Sequence, residues 1–311
     1  MAITNEIERL QNAKSNLKNA INSKLKVEQN KISNELISAY SGFVDNIQTG
    51  DGDVSNYFLT NNITVSNMNL GNYIIKKIPE LDLTGTTSLR YAFSNFINLE
   101  ELSLIHTNGV ESMESCFREC HKIKNIPLFD TSNIVNLDAA FSNCFRLETI
   151  PPFNVSKVTN MSYAFSSCYV LKTIPELDTG KVENFKRTFD RCFRLISLPK
   201  LDFKSANNIS SIFVTYTTNT ELTTLGGFEN LGQAYLETQR AHFVDYTLEL
   251  QYLTKLTEQS LINVLTNVYD IASKGVKAQQ IILGADNLAK LTSEEGQQAL
   301  TRATNYGWTI S

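Results

Sequence analysis

The chain has 311 residues, 42 % of them apolar and 19 % charged, with a formal net charge of -4. That is enough apolar chain for a sizeable core, and too little net charge for wholesale attraction to a polyanion or a membrane surface. No apolar run is long enough to cross a bilayer as a helix, and the opening "MAITNEIERLQNAK" lacks the basic and apolar regions of a secretory signal.

In chain order, residues 1–48 come first. Ile3, Ile7, Leu10, Leu17 and Ile21 follow a 4-3-7-4 spacing with Lys14 at the vacant position, which is a heptad seam. A second stripe, Ile32, Leu36, Tyr40, Phe43 and Ile47, is also helical. The segment reads as one long helix or a helical hairpin. Its plain role is packing on itself or on its neighbour. The sharper expectation is an anchor and oligomerisation seam that makes the protein a homo-oligomer. "TGDGDVSN" ends it with turn residues, and residues 49–77 are expected to be a linker and an entry cap.

Residues 78–222 repeat with a 24-residue step. Phe93, Phe117, Phe141, Phe165, Phe189 and Phe213 form one column. Cys120, Cys144, Cys168 and Cys192 form another, and Leu99, Ile123, Leu147, Leu171 and Leu195 a third. The next runs from Ile78 through Leu102, Ile126, Ile150, Ile174 and Leu198, with Leu222 after it. "LKTIPELD" suggests a short strand with an edge proline. Met161, Ala164, Phe165 and Cys168 share one helical face. One unit is therefore expected to be strand, turn, short helix and turn, buried only when stacked on its copies. A cysteine whose column accepts Phe96 is a packing position. With Cys116 the count is five, an odd number that argues against a disulfide framework.

The pattern F-x-x-C-x-x-L-x-x-I-P, followed by an apolar-x-N-M, resembles the leucine-rich repeats of BspA-like bacterial surface proteins. The resemblance implies an α/β leucine-rich-repeat solenoid and a role in adhesion or binding. "NEIERLQNAKSNLKNAIN" is similar to the N-terminal helices of tail, fibre and baseplate proteins of tailed bacteriophages. That likeness implies a virion structural protein, made in the host cytoplasm without a signal peptide and attached to other virion proteins through residues 1–48.

Residues 223–311 change wavelength and are expected to be a cap of larger strand-helix units. Leu256, Leu261, Val264, Leu265 and Val268 lie on a helical stripe, "QQIILGA" is a strand, and "WTI" is a last strand. Thr292 with Glu295 reads as a capping box. Trp308 is expected in the cap core.

Chemistry is sparse. His106, His121 and His242 have no partners at metal-like spacing, and no nucleophile elbow, zinc-protease or phosphate-loop motif occurs. Asp130, Asp178 and Asp202 share a column, but it has the character of a turn position rather than a hydrolase pair. No catalytic residue, metal or cofactor is expected, and neither nucleic-acid binding nor membrane insertion. Two features could meet a ligand. One is an aromatic ladder, His121, Phe145, Tyr169 and Phe193, beside a basic one, Lys122, Arg146 and Arg194, which could hold an acidic or hydroxylated glycan. The same residues could simply fill and cover solenoid corners. The other is the strand face, where Glu101, Asn125, Thr149, Thr173 and Ser197 stack in one column and Glu100, Lys124, Glu148 and Lys172 in the next; small polar residues there fit a contact face, and a plain solvated sheet fits equally well. The expected function is non-enzymatic binding of a host surface, as glycan or protein, or of neighbouring virion proteins. The runner-up is a bacterial BspA-type surface adhesin.

Overall fold

The computed structural model describes residues 76–78, 81–83, 86–213, 220–234, 247–275 and 277–311. The expected seam Ile3, Ile7, Leu10, Leu17 and Ile21, and almost all of the 49–77 entry segment, lie outside these residues. The fold is mixed α/β with short parallel strands and few helices.

Two-residue strands pair in parallel across neighbouring coils: β1 (Lys77–Ile78) with β3 (Glu101–Leu102), and β2 (Leu81–Asp82) with β4 (Ile105–His106). Farther on, β5 (Ser197–Leu198) pairs with β7 (Thr224–Leu225), and β6 (Leu201–Asp202) with β8 (Phe228–Glu229). Between them single bridges keep the 24-residue step, as in Asn136 to Asn160 and Asn160 to Asn184. At the far end the step lengthens. Leu198 pairs with Leu225 rather than Leu222, a step of 27, because the sequence between Phe213 and Thr220 is three residues longer than in the earlier units. Leu222 is buried all the same, under Leu195's column instead of Leu198's.

The expected short helix is not there: no α-helix occurs among the described repeat residues. Its place is taken by a run of hydrogen-bonded turns. In the coil from Met161 to Cys168 the amides alternate. Ala164, Ser166 and Cys168 donate to the carbonyl three residues back, whereas Met161, Tyr163, Phe165 and Ser167 donate to carbonyls of the next coil, at 2.7–3.0 Å. A helix would spend every amide inside its own coil. Here half of them join coils, which gives the stack lateral cohesion along this face. The geometry needs a left-handed residue at every fourth position of the run. Ala139 and Asn143, Tyr163 and Ser167, and Arg187 and Arg191 all have φ of 51–61°. Such a residue at the third turn position is the mark of a type II turn.

The helix-like spacing of the apolar residues survives because the turn ribbon also presents Met161, Ala164, Phe165 and Cys168 inward, all of them buried. Phe117, Phe141 and Phe165 stack at 5.6–5.7 Å with ring planes 2–6° apart. Beside them each thiol donates to a phenylalanine carbonyl one coil back: Cys144 to Phe117, Cys168 to Phe141 and Cys192 to Phe165, at 3.2 Å each. All five cysteines are buried and free, and burial pushes their thiols well above the ordinary range.

The C-terminal units are larger. β9 (Thr247–Glu249), β10 (Gln279–Ile282) and β11 (Trp308–Ile310) form a parallel sheet with β10 central. It is joined by α1 (Glu258–Thr266), α2 (Ala285–Leu288) and α3 (Glu294–Asn305). Trp308 is 1 % exposed and donates to the Tyr269 carbonyl, so it belongs to the core. The N-cap of α3 is Ser293 rather than Thr292: its hydroxyl accepts from Gly296 N at 3.0 Å. The expected box fails because its carboxylate comes from elsewhere. Glu258 of α1 accepts from Ser293 N at 2.8 Å, and a side chain at Gly296 would collide with that carboxylate.

Candidate binding groove

Where each turn run leads into the next coil-to-coil bridge, the buried residues Ile123, Leu147, Leu171 and Leu195 point inward. The residues on either side of each are partly or fully exposed and so face outward. This places Lys122, Arg146, Val170 and Arg194 in one outer column, and Lys124, Glu148, Lys172 and Ile196 in a second. Backbone bonds fix the second column coil to coil: Glu148 N to Lys124 O, Lys172 N to Glu148 O and Ile196 N to Lys172 O, at 2.9–3.1 Å.

Between the two columns runs an open groove of about 470 Å³. It is lined by four cations, Lys124, Arg146, Lys172 and Arg194, and two carboxylates, Glu148 and Glu221; Val170 and Ile196 form apolar patches. The sequence presented the two columns as alternatives; the structure brings them to opposite sides of one feature. Two of the cations are matched internally. Lys172 lies 3.2 Å from Glu148, and Arg194 lies 2.6 Å from Glu221. Arg146 and Lys124 have no ion pair among the described residues. A net positive groove on a chain of net charge -4 is set up to receive anionic groups.

Lys122 is not in the groove lining; it approaches Glu100 at 3.9 Å. The aromatic ladder does form. His121 stacks on Phe145 at 4.3 Å, Phe145 on Tyr169 at 4.8 Å and Tyr169 on Phe193 at 5.5 Å, with planes 5–27° apart. Its rings are half-buried. Because they stack face to face, both faces of Phe145 and Tyr169 and the inner faces of His121 and Phe193 are occupied. A sugar needs an open aromatic face to stack on, so this column does not offer it a platform. It is a second spine, parallel to the buried phenylalanines. His121 is tied down further by Glu119 at 2.8 Å, and Glu119 also accepts from Asn143 at 2.7 Å.

The acidic column is a set of turns. Asp130 accepts from Ser132 N, Asp178 from Gly180 N and Asp202 from Lys204 N, at 2.9–3.4 Å. Bonds from Ser132 hold the Asp130 carboxyl below its ordinary range. Among the described residues there is no cluster of three or more metal-ligating side chains, and no helix long and apolar enough to cross a membrane.

Alternating cations are the signal that sequence reasoning missed. It was visible in principle, once the columns two residues apart were read together as one surface. No curated protein matches the chain. Residues 87–197 and 111–224 match a sequence family described as a Mycoplasma protein of unknown function, DUF285. That match supports a BspA-like repeat protein, and it spans the coils that build the groove.

Proposed function

We propose that the protein is a non-enzymatic binding protein, that its stacked coils are a leucine-rich-repeat solenoid of the BspA-like kind, and that the groove is its contact surface. The observation that carries this reading is the groove itself: one cation from each of four successive coils, at exposed positions the core does not need. Unpaired Arg146 is the anchor, because a guanidinium offers a planar fork to carboxylates and keeps its charge at all working pH values.

The setting we propose is the particle of a tailed bacteriophage, in its tail, fibre or baseplate. Residues 1–48 would join it to other virion proteins and to further copies of itself. This part rests on the resemblance of "NEIERLQNAKSNLKNAIN" alone. A second reading, a bacterial surface adhesin, is favoured by the Mycoplasma description of the matched family. Mass spectrometry of purified particles and of a cell-surface fraction separates the two settings.

The binding reading is tested by probing a glycan and surface-protein array with the intact protein and with Arg146→Glu. Loss of the wild-type signals in the variant supports it. Signals that the variant retains in full refute the groove as the contact surface.

A further inference from the structure

The four cations of the groove do not lie in a row. Lys124 belongs to one column, Arg146 to the other, Lys172 to the first again and Arg194 to the second. Each comes from the next coil along, so positive charge alternates between the two sides of the groove once per coil. Coils joined by parallel backbone bonds advance by about 4.8 Å. The zigzag from Lys124 to Arg194 therefore spans three steps, or about 14 Å. The gaps in the zigzag are Val170 and Ile196, which are apolar, and Glu148, which is held by Lys172; Lys122, across from Lys124, lies outside the groove lining near Glu100.

From this geometry we infer that the groove takes a linear polyuronate lying along the stacking axis: a chain of diequatorially linked pyranoses carrying one carboxylate per residue. This deepens the binding reading above and rests on it. Three features of the ligand match three features of the groove. A diequatorially linked pyranose advances by about the length of one coil step. Its near-twofold ribbon turns successive carboxylates to opposite edges, as the cations alternate. Its flat ring carries apolar C–H faces that can lie over Val170 and Ile196.

An acidic peptide does not keep this register. An extended chain also alternates sides, but it advances only about 3.4 Å per residue, so after three residues it falls about 4 Å short of the zigzag. The closed faces of the aromatic column point the same way, since affinity has to come from charge rather than from stacking on rings. The internal pairs Lys172–Glu148 and Arg194–Glu221 are exposed, and exposed pairs hold their partners by about 1 kcal/mol or less, so both cations can be shared with a ligand.

The test uses the full chain and four probes in titration calorimetry: oligomannuronate, which is diequatorially linked; oligoguluronate, of the same charge but diaxially linked and buckled; a neutral cello-oligosaccharide; and poly-L-glutamate. The expected result is binding of oligomannuronate that weakens as salt is added, with the other three much weaker. Arg146→Glu and Lys172→Glu, on opposite sides of the groove, are each expected to lower that affinity about tenfold or more. Arg118→Glu, beside Glu119 and outside the groove, should leave it unchanged. Arg146→Gln repeats the measurement should charge reversal lower the melting temperature. Absence of oligomannuronate binding, equal binding of oligoguluronate or poly-L-glutamate, or insensitivity to both groove substitutions overturns the inference. If oligomannuronate fails while Arg146→Glu still abolishes array signals, the ligand class falls and the binding surface stands.

Discussion

Replacing Ala139 and its neighbour Ala140 by glycine, one at a time, separates a turn ribbon from a helix with two very conservative changes. In a helix the two positions are equivalent to first order, and each substitution costs about 1 kcal/mol. In the turn ribbon they are opposites. Ala139 has φ of 51°, a left-handed conformation that costs a residue with a side chain about 1 kcal/mol and costs glycine almost nothing. Relief of that strain offsets the extra backbone entropy glycine loses on folding, about 0.7 kcal/mol, so Ala139→Gly should be neutral or slightly stabilising. Ala140 is fully buried. Ala140→Gly removes its methyl, about 0.8 kcal/mol of burial, and adds the same entropy term, for about 1.5 kcal/mol in all. The two variants should differ by about 1.5 kcal/mol, which is about 2 °C in melting temperature for a chain of 311 residues. Urea and thermal unfolding followed by circular dichroism would measure it. Equal losses of about 1 kcal/mol at both positions would refute the turn assignment.

Four further outcomes follow from the same contacts. Phe141→Ala should cost about 3–5 kcal/mol, because the ring is fully buried between Phe117, Phe153 and Phe165; a loss under about 1 kcal/mol in urea unfolding would contradict that packing. Ser293→Ala should cost about 1 kcal/mol and Thr292→Ala much less, since the hydroxyl of Ser293 caps α3; the reverse order would restore the cap read from sequence. Native protein should be inert to a thiol reagent and react at all five cysteines in denaturant, and fast native labelling would contradict their burial. Asp190 is buried, one of its carboxylate oxygens has no hydrogen-bond partner among the described residues, and burial raises its pKa above the ordinary 3.8. The folded state therefore holds its proton more tightly than the unfolded one. Its destabilising effect is absent below about pH 3.8, grows as pH rises through the raised value, and is then constant. Asp190→Asn should stabilise by about 1 kcal/mol at neutral pH, and the gain should vanish in acid; a gain that persists unchanged in acid would exclude ionisation as its cause.

The columns were legible in the sequence because burial repeats with the coil. Phe117, Cys144 and Leu171 each fill the same cavity as their copies, so identity of position forces identity of character. The C-terminal elements were legible for a different reason: Leu261, Val264 and Leu265 show ordinary helical periodicity, and α1 is an ordinary helix. The turn ribbon was not legible, because spacing of three and four reports only which side chains face inward, and a helix and a turn ribbon can present the same ones. What distinguishes them is the destination of each amide, and that depends on the next coil. No glycine marked the left-handed positions either. Tyr163 and Arg187 occupy them in their own coils, held by backbone bonds to the following coil at 2.8 and 3.1 Å. The lengthened step before Leu225 escaped notice because Leu222 also fits an apolar column, one column away from where the count had put it.

The same logic explains why the groove had to be found on the structure. A position that packs inward is constrained in every coil, so it announces itself as a column. A position that points outward is free in every coil, and here Arg146, Val170 and Arg194 share a column while differing in charge. Their order makes sense only beside Lys124, Glu148, Lys172 and Ile196, which occupy the complementary sites two residues on. Within the groove lining, from Lys124 to Arg194, each coil supplies one cation and the side alternates, while Lys122, the second cation of the first coil, lies outside the lining near Glu100. Charge-reversing Lys124 and Arg146 together, on adjacent coils and opposite sides, should weaken polyuronate binding more than reversing Arg146 and Arg194 on the same side. The latter pair leaves Lys124 and Lys172 to hold a whole edge of the ribbon, whereas the former removes the two groove cations that no carboxylate among the described residues pairs with. Equal losses for the two pairs, measured by the same calorimetry, would mean that the groove responds to net charge alone and that the alternation plays no part in binding.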